Sequence, residues 1–346
     1  MTTWKRWPVA DNGEPLVAMG PFSDFPQLAG SAIYFGERRD SPYPTGGPGT
    51  LLTHFAGAGV VERLARVASS LPDTQVLWLW DTYRSEDTQR TLYDWFEREV
   101  TARFALEGDE LSVYVQRYVS MPSVDPQKPS PHLTGGAIDL TIAEVSARDA
   151  QVRRAILDEL HELEAGRPLV DDAATDYNWQ RAYDLHMQLA DLHRSAAVPL
   201  DMGTAFDEMT DLAHADYFAV PRPEIPDQAQ IQRNRSLLRN AMEAVGFTQY
   251  DDEWWHYNFG NQMWAEANGA PAAIYGPAFL SAENRTFEQI RRAHDARQRA
   301  WHEGRDVSSA GTLDSPYRDF ARVIARDFSA PHHAIQPPAA SLTDGL

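Results

Sequence analysis

Cysteine is absent from the 346 residues, which excludes disulfides, thiolate metal sites and cysteine nucleophiles. Any metal must therefore be held by His, Asp or Glu. Lysine is nearly absent too, with only Lys5 and Lys128, and arginine carries the rest of the positive charge. Positive charge is scarce overall: 31 Lys and Arg stand against 50 Asp and Glu, a formal net charge of -19. Such a chain repels a phosphate backbone, so nucleic acid is excluded as the main partner and a solvated acidic surface is expected. No apolar run reaches the length of a membrane span. Residues 1–20 contain Pro8, Asp11, Glu14 and Pro15 in place of a signal-peptide core. The sequence as written is expected to be cytoplasmic, or exported if a signal was removed. It shows no internal repeat, and its length fits one elaborated domain or two modest ones.

Residues 130–140, Ser-Pro-His-Leu-Thr-Gly-Gly-Ala-Ile-Asp-Leu, place His132 and Asp139 around a glycine pair and before an apolar, strand-like run. An imidazole nitrogen and a carboxylate oxygen are both metal ligands, and Gly135 and Gly136 permit a turn tight enough to aim them at one ion. A third ligand is offered far along the chain by His256 in Glu253-Trp254-Trp255-His256. Two histidines and one carboxylate leave a coordination position for water, as catalytic sites do. Glu253 can stand beside His256 on a helix, or at a strand end bent by a bulge, and act as a base.

Around these residues the pattern alternates between helix and strand. Residues 1–50 are rich in Pro, Gly and aromatics without periodicity and read as an irregular arm packed over something. Val60, Val61, Leu64, Val67, Ala68 and Leu71 predict a helix over 59–71, and 75–80 a buried strand. That strand delivers Asp81-Thr82-Tyr83-Arg84. Ser85 is placed to cap a helix over 88–104, with Leu92, Trp95, Phe96, Val100 and Phe104 on one face. A strand is expected over 111–119 and a Pro-rich turn over 121–129.

Ser146-Ala-Arg-Asp149 resembles a capping box before a helix carrying Val152, Ile156, Leu160 and Leu163, which breaks at Gly166-Arg167-Pro168. A second helix over 177–192 completes a hairpin. Its His161, His186 and His193 read as surface or interface residues, not ligands. Residues 199–207 form a short strand and turn that delivers Asp207. A helix over 234–245 ends at Gly246, and 247–259 is strand-like apart from an acidic turn at Asp251 and Asp252. The arginines Arg291, Arg292, Arg297 and Arg299 on a helix over 287–302 are expected to be solvated or salt-bridged. The tail from Ser329, with His332-His333, is expected to be extended and without a site.

Four ordered motifs resemble one known family. Ser130-x-His132-x-x-Gly135-x-Ala137-x-Asp139, Glu253-x-Trp255-His256, Asp81-x-Tyr83-Arg84 and Met202-Gly203-Thr204-x-Phe206-Asp207 are similar to the D-alanyl-D-alanine dipeptidases, the VanX-like zinc peptidases. The resemblance covers about a third of the chain. It implies one zinc per chain on His132, Asp139 and His256, with Glu253 as general base and acid and Arg84 stabilising the transition state. Asp207 and Ser130 would receive the amino terminus of a small dipeptide. The implied fold is α+β, an antiparallel sheet carrying the zinc site with helices packed around it. Where this chain has Thr82 and Ser85 the family usually has glycine and proline.

The expected organisation is an N-terminal arm over 1–50, a peptidase domain over 51–265 with a helical-hairpin insertion at about 144–198, and a C-terminal helical extension and tail over 266–346. The inserted hairpin is a candidate surface for a homo-oligomer. Three functions stay open at this point: hydrolysis of a dipeptide, D-Ala-D-Ala foremost; a related D,D-carboxypeptidase or endopeptidase acting on cell-wall peptide ends; and a non-catalytic binding protein stapled by zinc. The last has no need of both Glu253 and Arg84.

Overall fold

A computed structural model describes residues 4–36, 46–116, 119–123, 125–165, 179–208, 210–222, 225–302 and 304. The expected helix break at 166–168 and the tail from Ser329 with His332-His333 lie outside the described residues.

The N-terminal arm holds two short strands, β1 (Leu16–Met19) and β2 (Ala29–Gly30), followed by β3 (His54–Gly57). Helix α1 (Ala58–Ser70) leads into β4 (Gln75–Asp81), α2 (Glu86–Phe104) and α3 (Gly108–Val115). Strand β5 (Ala137–Glu144), the helix pair α4 (Ala147–Ala165) and α5 (Trp179–Ala196), and β6 (Val198–Pro199) come next. The chain continues through α6 (Gln228–Glu243), β7 (Thr248–Tyr250), β8 (Glu253–Asn258), α7 (Gln262–Ala267) and α8 (Ala282–His302).

The main sheet runs β2-β4-β5-β8-β7, with β6 also paired to β5; β1 and β3 form a separate antiparallel pair. Every pairing in the main sheet is antiparallel except β2 with β4, which is parallel. The arm read as irregular thus contributes an edge strand. A two-residue strand is too short to show alternation, which is why the sequence did not reveal it.

The strands alternate as a sheet with two different faces requires. Leu77 and Leu79 of β4 and Ile138, Leu140 and Ile142 of β5 pack with Val60, Val61, Leu64 and Val67 of α1 and with Leu238 and Met242 of α6. Asp139 and Thr141, which alternate with these β5 residues, point the other way. Between Leu79 and Asp81 the register shifts, so that Leu79 faces Leu140 and Asp81 faces Asp139. Trp80 is the extra residue, and this bulge turns Asp81 from the core face to the face of Asp139.

Two helices depart from, or refine, their sequence signals. Residues 111–119, expected as a strand, are helical at their start: Leu111, Tyr114, Val115 and Val119 lie at helical spacing and pack with Tyr93 and Val100 of α2. The neighbouring helix α2 offers this apolar stripe a surface to pack on, which selects the helical periodicity. Ser85 does cap α2, its Oγ accepting from the Thr88 N–H at 3.1 Å, and ahead of α4 Ser146 Oγ accepts from the Asp149 N–H and donates to the Asp149 carboxylate. Helices α4 and α5 pack through Ile156, Leu160, Leu185 and Leu189. On α8, Arg292 and Arg299 bond Glu288 and Asp295 one turn away, as a salt-bridged face requires. Among the described residues no helix is long and apolar enough to cross a membrane.

Candidate metal centre

One rung across three strands builds the site. Asp81 on β4, Asp139 on β5 and His256 on β8 are successive cross-strand partners, so their side chains project side by side from one face. His132 joins them from a single helical turn just before β5. Gly135 ends that turn at φ +67°, and a Cβ there would meet Leu16 and the backbone of Gly57, while one on Gly136 would collide with the carbonyl oxygen of Phe259. Only glycine fits either position, because the turn must pass flat against these neighbours.

His132, Asp139 and His256 are buried, and one donor atom from each lies within 4.8 Å of the other two. The Nε2 of His132 stands 3.4 Å from Asp139 Oδ2, and Nδ1 of His256 stands 2.9 Å from Asp139 Oδ1. Donors at about 2.1 Å from a tetrahedral ion are roughly 3.4 Å apart, so this spacing fits a divalent cation. The second nitrogen of each ring is also fixed. His132 Nδ1 lies 2.8 Å from the Thr82 carbonyl oxygen, and His256 Nε2 lies 3.1 Å from Asn258 Oδ1. Those acceptors hold the proton on the outer nitrogen and leave the inner lone pair facing Asp139. Thr82 serves through its carbonyl, with its side chain buried, and its backbone is not in the left-handed region that would require glycine.

Burial lowers both imidazoles: His132 lies well below its usual value, with Arg84 and His256 adding to the effect, and His256 is lowered as well. Both are then neutral, as ligation requires. Burial raises Asp139 well above the carboxylate range, reinforced by Asp81, and raises Asp81 to about 6 against the opposing pull of Arg84. Buried carboxyls held this high make a setting in which added positive charge is favourable.

Arg84 follows β4 and reaches into this cluster. Its Nε donates to Asp81 at 2.8 Å, Nη1 to Gln89 at 2.9 Å and Nη2 to the Tyr34 hydroxyl at 3.2 Å. Burial opposes its charge, but Asp81, Tyr34, Asp139 and Asp207 more than offset that, so it stays ionised. Tyr34 in turn donates to Asp207 Oδ2 at 2.9 Å. Asp207 sits at φ +58°, a conformation Asp tolerates better than most residues, and this aims its carboxylate back toward Tyr34.

Glu253 opens β8 opposite a register irregularity in β7, the bulged strand end anticipated for it. Its Oε2 is 3.7 Å from His256 Nδ1 and 36 % of its side chain is exposed to the cleft. Burial against the cleft walls, with Asp139 adding and His256 opposing, pushes its carboxyl up to about 7. A cavity of about 380 Å³ is lined by Arg84, Ser130, His132, Asp139, Asp207, Glu253 and His256 together. All seven residues singled out in the sequence thus meet in one cleft.

Sequence reasoning missed Tyr34, Gln89 and Asn258. Asn258 was within reach of it: two residues beyond His256 on a strand, it shares the face of His256. Tyr34 lies in the arm and Gln89 on a helix, with no local pattern to distinguish them.

Residues 159–269 match the sequence profile of the family described as D-ala-D-ala dipeptidase. That match includes Asp207, Glu253 and His256 and begins within α4; the Arg84, His132 and Asp139 motifs precede it. The chain is 27 % identical to a D-alanyl-D-alanine dipeptidase of Synechocystis sp., over 75 % of this chain and 87 % of that protein. It is 38 % identical to a protein of the same description from Escherichia coli over 25 % of this chain and 40 % of the other. A third, from Streptomyces coelicolor, is 43 % identical over 16 % of this chain and 24 % of the other. Over these stretches, and in its motifs, the chain is similar to D-alanyl-D-alanine dipeptidases.

Proposed function

We propose that the protein hydrolyses a small dipeptide, D-alanyl-D-alanine foremost, with zinc held by His132, Asp139 and His256. The observation that carries this reading is the triad of donors with Glu253 and Arg84 at its edge in a single cleft. When bound, zinc supplies a Lewis acid and makes water a nucleophile near neutral pH. Glu253 accepts the proton of the attacking water and delivers it to the leaving nitrogen, a double duty suited to a carboxyl that titrates at about 7. Arg84, clamped by Asp81, Gln89 and Tyr34, presents fixed positive charge to the oxyanion that develops on the scissile carbonyl. Asp207, oriented by Tyr34, receives the substrate ammonium, with Ser130 lining the same cleft. His132 and His256 keep their inner lone pairs aimed by donating outward to Thr82 and Asn258.

A panel of dipeptides of both chiralities on metal-loaded protein, read for released amino acid, tests this. Cleavage of D,D-dipeptides supports the reading; stoichiometric zinc with no cleavage of D-Ala-D-Ala or any related dipeptide would sink it. Cleavage of longer cell-wall peptides but not of free dipeptides would move the assignment to a carboxypeptidase or endopeptidase. The helix pair at 144–198 we read as an insertion and a candidate dimer surface, which ultracentrifugation of the whole protein tests.

A further inference from the structure

Between β8 and α7 lie only Phe259, Gly260 and Asn261. Gly260 takes φ +70° in this turn, and its carbonyl accepts from the N–H groups of Ile274 and Tyr275. Asn261 then caps α7, its Oδ1 accepting from the Trp264 N–H at 3.0 Å. Its Nδ2 donates to Asn258 Oδ1 at 2.7 Å. Both asparagines are 1 % exposed, so bulk water does not compete for these bonds.

A primary amide carries an acceptor at one corner and donors at the other, and it can be turned over with little change of shape. Its orientation has to be set by a neighbour that cannot turn. For Asn261 that neighbour is a backbone N–H, which only donates, so Oδ1 is fixed toward Trp264 and Nδ2 toward Asn258. Asn258 is fixed in turn, because turning it over would set its amide nitrogen against that of Asn261. Its Oδ1 therefore faces His256 Nε2 at 3.1 Å as an acceptor, which places the imidazole proton on Nε2. The Nδ1 lone pair is left on the side of Asp139. The competing tautomer, with its proton on Nδ1, would donate to Asp139 Oδ1 across 2.9 Å and offer that side no lone pair.

Resting on the reading of His132, Asp139 and His256 as metal ligands, we infer that Asn261 is a positioning residue for the metal: through Asn258 it selects the His256 tautomer that can bind an ion. The direction of one backbone N–H in α7 thus reaches the metal centre across two side chains.

Zinc affinity measured by competition with a chromophoric chelator, together with nitrogen NMR of the imidazoles in metal-free protein, tests this. Asn261→Asp keeps the cap, since a carboxylate accepts from the Trp264 N–H as well as an amide does, but it donates nothing to Asn258. It is expected to weaken zinc binding about 10- to 100-fold and to move the His256 proton toward Nδ1. Asn261→Ser also keeps a cap, is too short to reach Asn258, and should show the same loss. Adding Asn258→Asp to Asn261→Ser is expected to restore zinc affinity, because a carboxylate accepts from His256 whichever way round it lies; restoration also separates a lost tautomer from a lost fold. Unchanged zinc affinity in both single variants, as a role confined to the cap would give, or no restoration by Asn258→Asp, overturns the inference while the metal reading stands. No zinc binding by the unaltered protein overturns both.

Discussion

Among the described histidines that are drawn inward, two pairs live in opposite electrostatic settings. His132 and His256 face carboxylates on the β4-β5-β8 rung, each with its outer nitrogen tied to an oxygen acceptor. His54 and His193 face arginines: burial, with Arg291 adding, lowers His54 to about 4, and burial, with Arg153 adding, lowers His193 to about 3. His193 Nε2 accepts from Arg153 Nε at 3.1 Å, so its lone pair is already committed. Depth alone therefore says nothing about ligation. Available lone pairs converging beside a carboxylate do, and the two pairs should part company under perturbation.

The largest expected effect is on turnover. Glu253→Gln should lower kcat by about 10² to 10⁴ while metal content stays stoichiometric; near-normal rates would remove Glu253 from its role. Arg84→Lys should cost roughly 10² to 10³ in kcat with a smaller change in KM, because lysine cannot keep all three of its bonds. Asn258→Ala, two residues from His256, should weaken metal affinity about 10- to 100-fold by freeing the His256 ring. His193→Gln, equally buried, should leave metal content unchanged, and a loss of metal there would erase the contrast between the two pairs.

The smallest effect is on stability and belongs to the arginine-facing pair. The folded state holds His193 below the value of about 6.5 it has when unfolded, so the unfolded state binds more protons across that window. Stability is complete above about pH 6.5 and is lost as the pH falls toward the folded value of about 3. Between about pH 7 and about pH 5 this one group should cost about 2 kcal/mol, and His193→Gln should flatten that part of the profile in denaturant titrations. A parallel fall in wild type and variant would show that protonation elsewhere dominates.

Much of the site was legible because each motif lies at the end of a strand or in a glycine turn, where residue type and spacing state the geometry locally. His132, Gly135 and Asp139 are one such unit, and Glu253 with His256 is another. What escaped was decided by contacts distant in sequence. Tyr34 reaches Arg84 and Asp207 only because the arm folds over the cleft. The parallel pairing of β2 depends on the same fold-back. Helix α3 forms where a strand was expected because its apolar stripe has α2 to pack on. The paired carboxylates of α8 show the opposite case, where spacing within one helix was enough.

The bulge at Trp80 reaches beyond the geometry of the rung. Asp81, Asp139 and His256 meet because three strands, from distant parts of the sequence, are held in one register with one extra residue between Leu79 and Asp81. A single-residue deletion at Trp80, or an insertion within β5 or β8, sends one of these side chains to the opposite face. Lineages of this protein are then free to lengthen the arm, the connection between β5 and β6, or the segment after β8, where length carries no register. The three strands themselves admit substitutions but not changes of length, so gain and loss of residues in such lineages should stop at their borders.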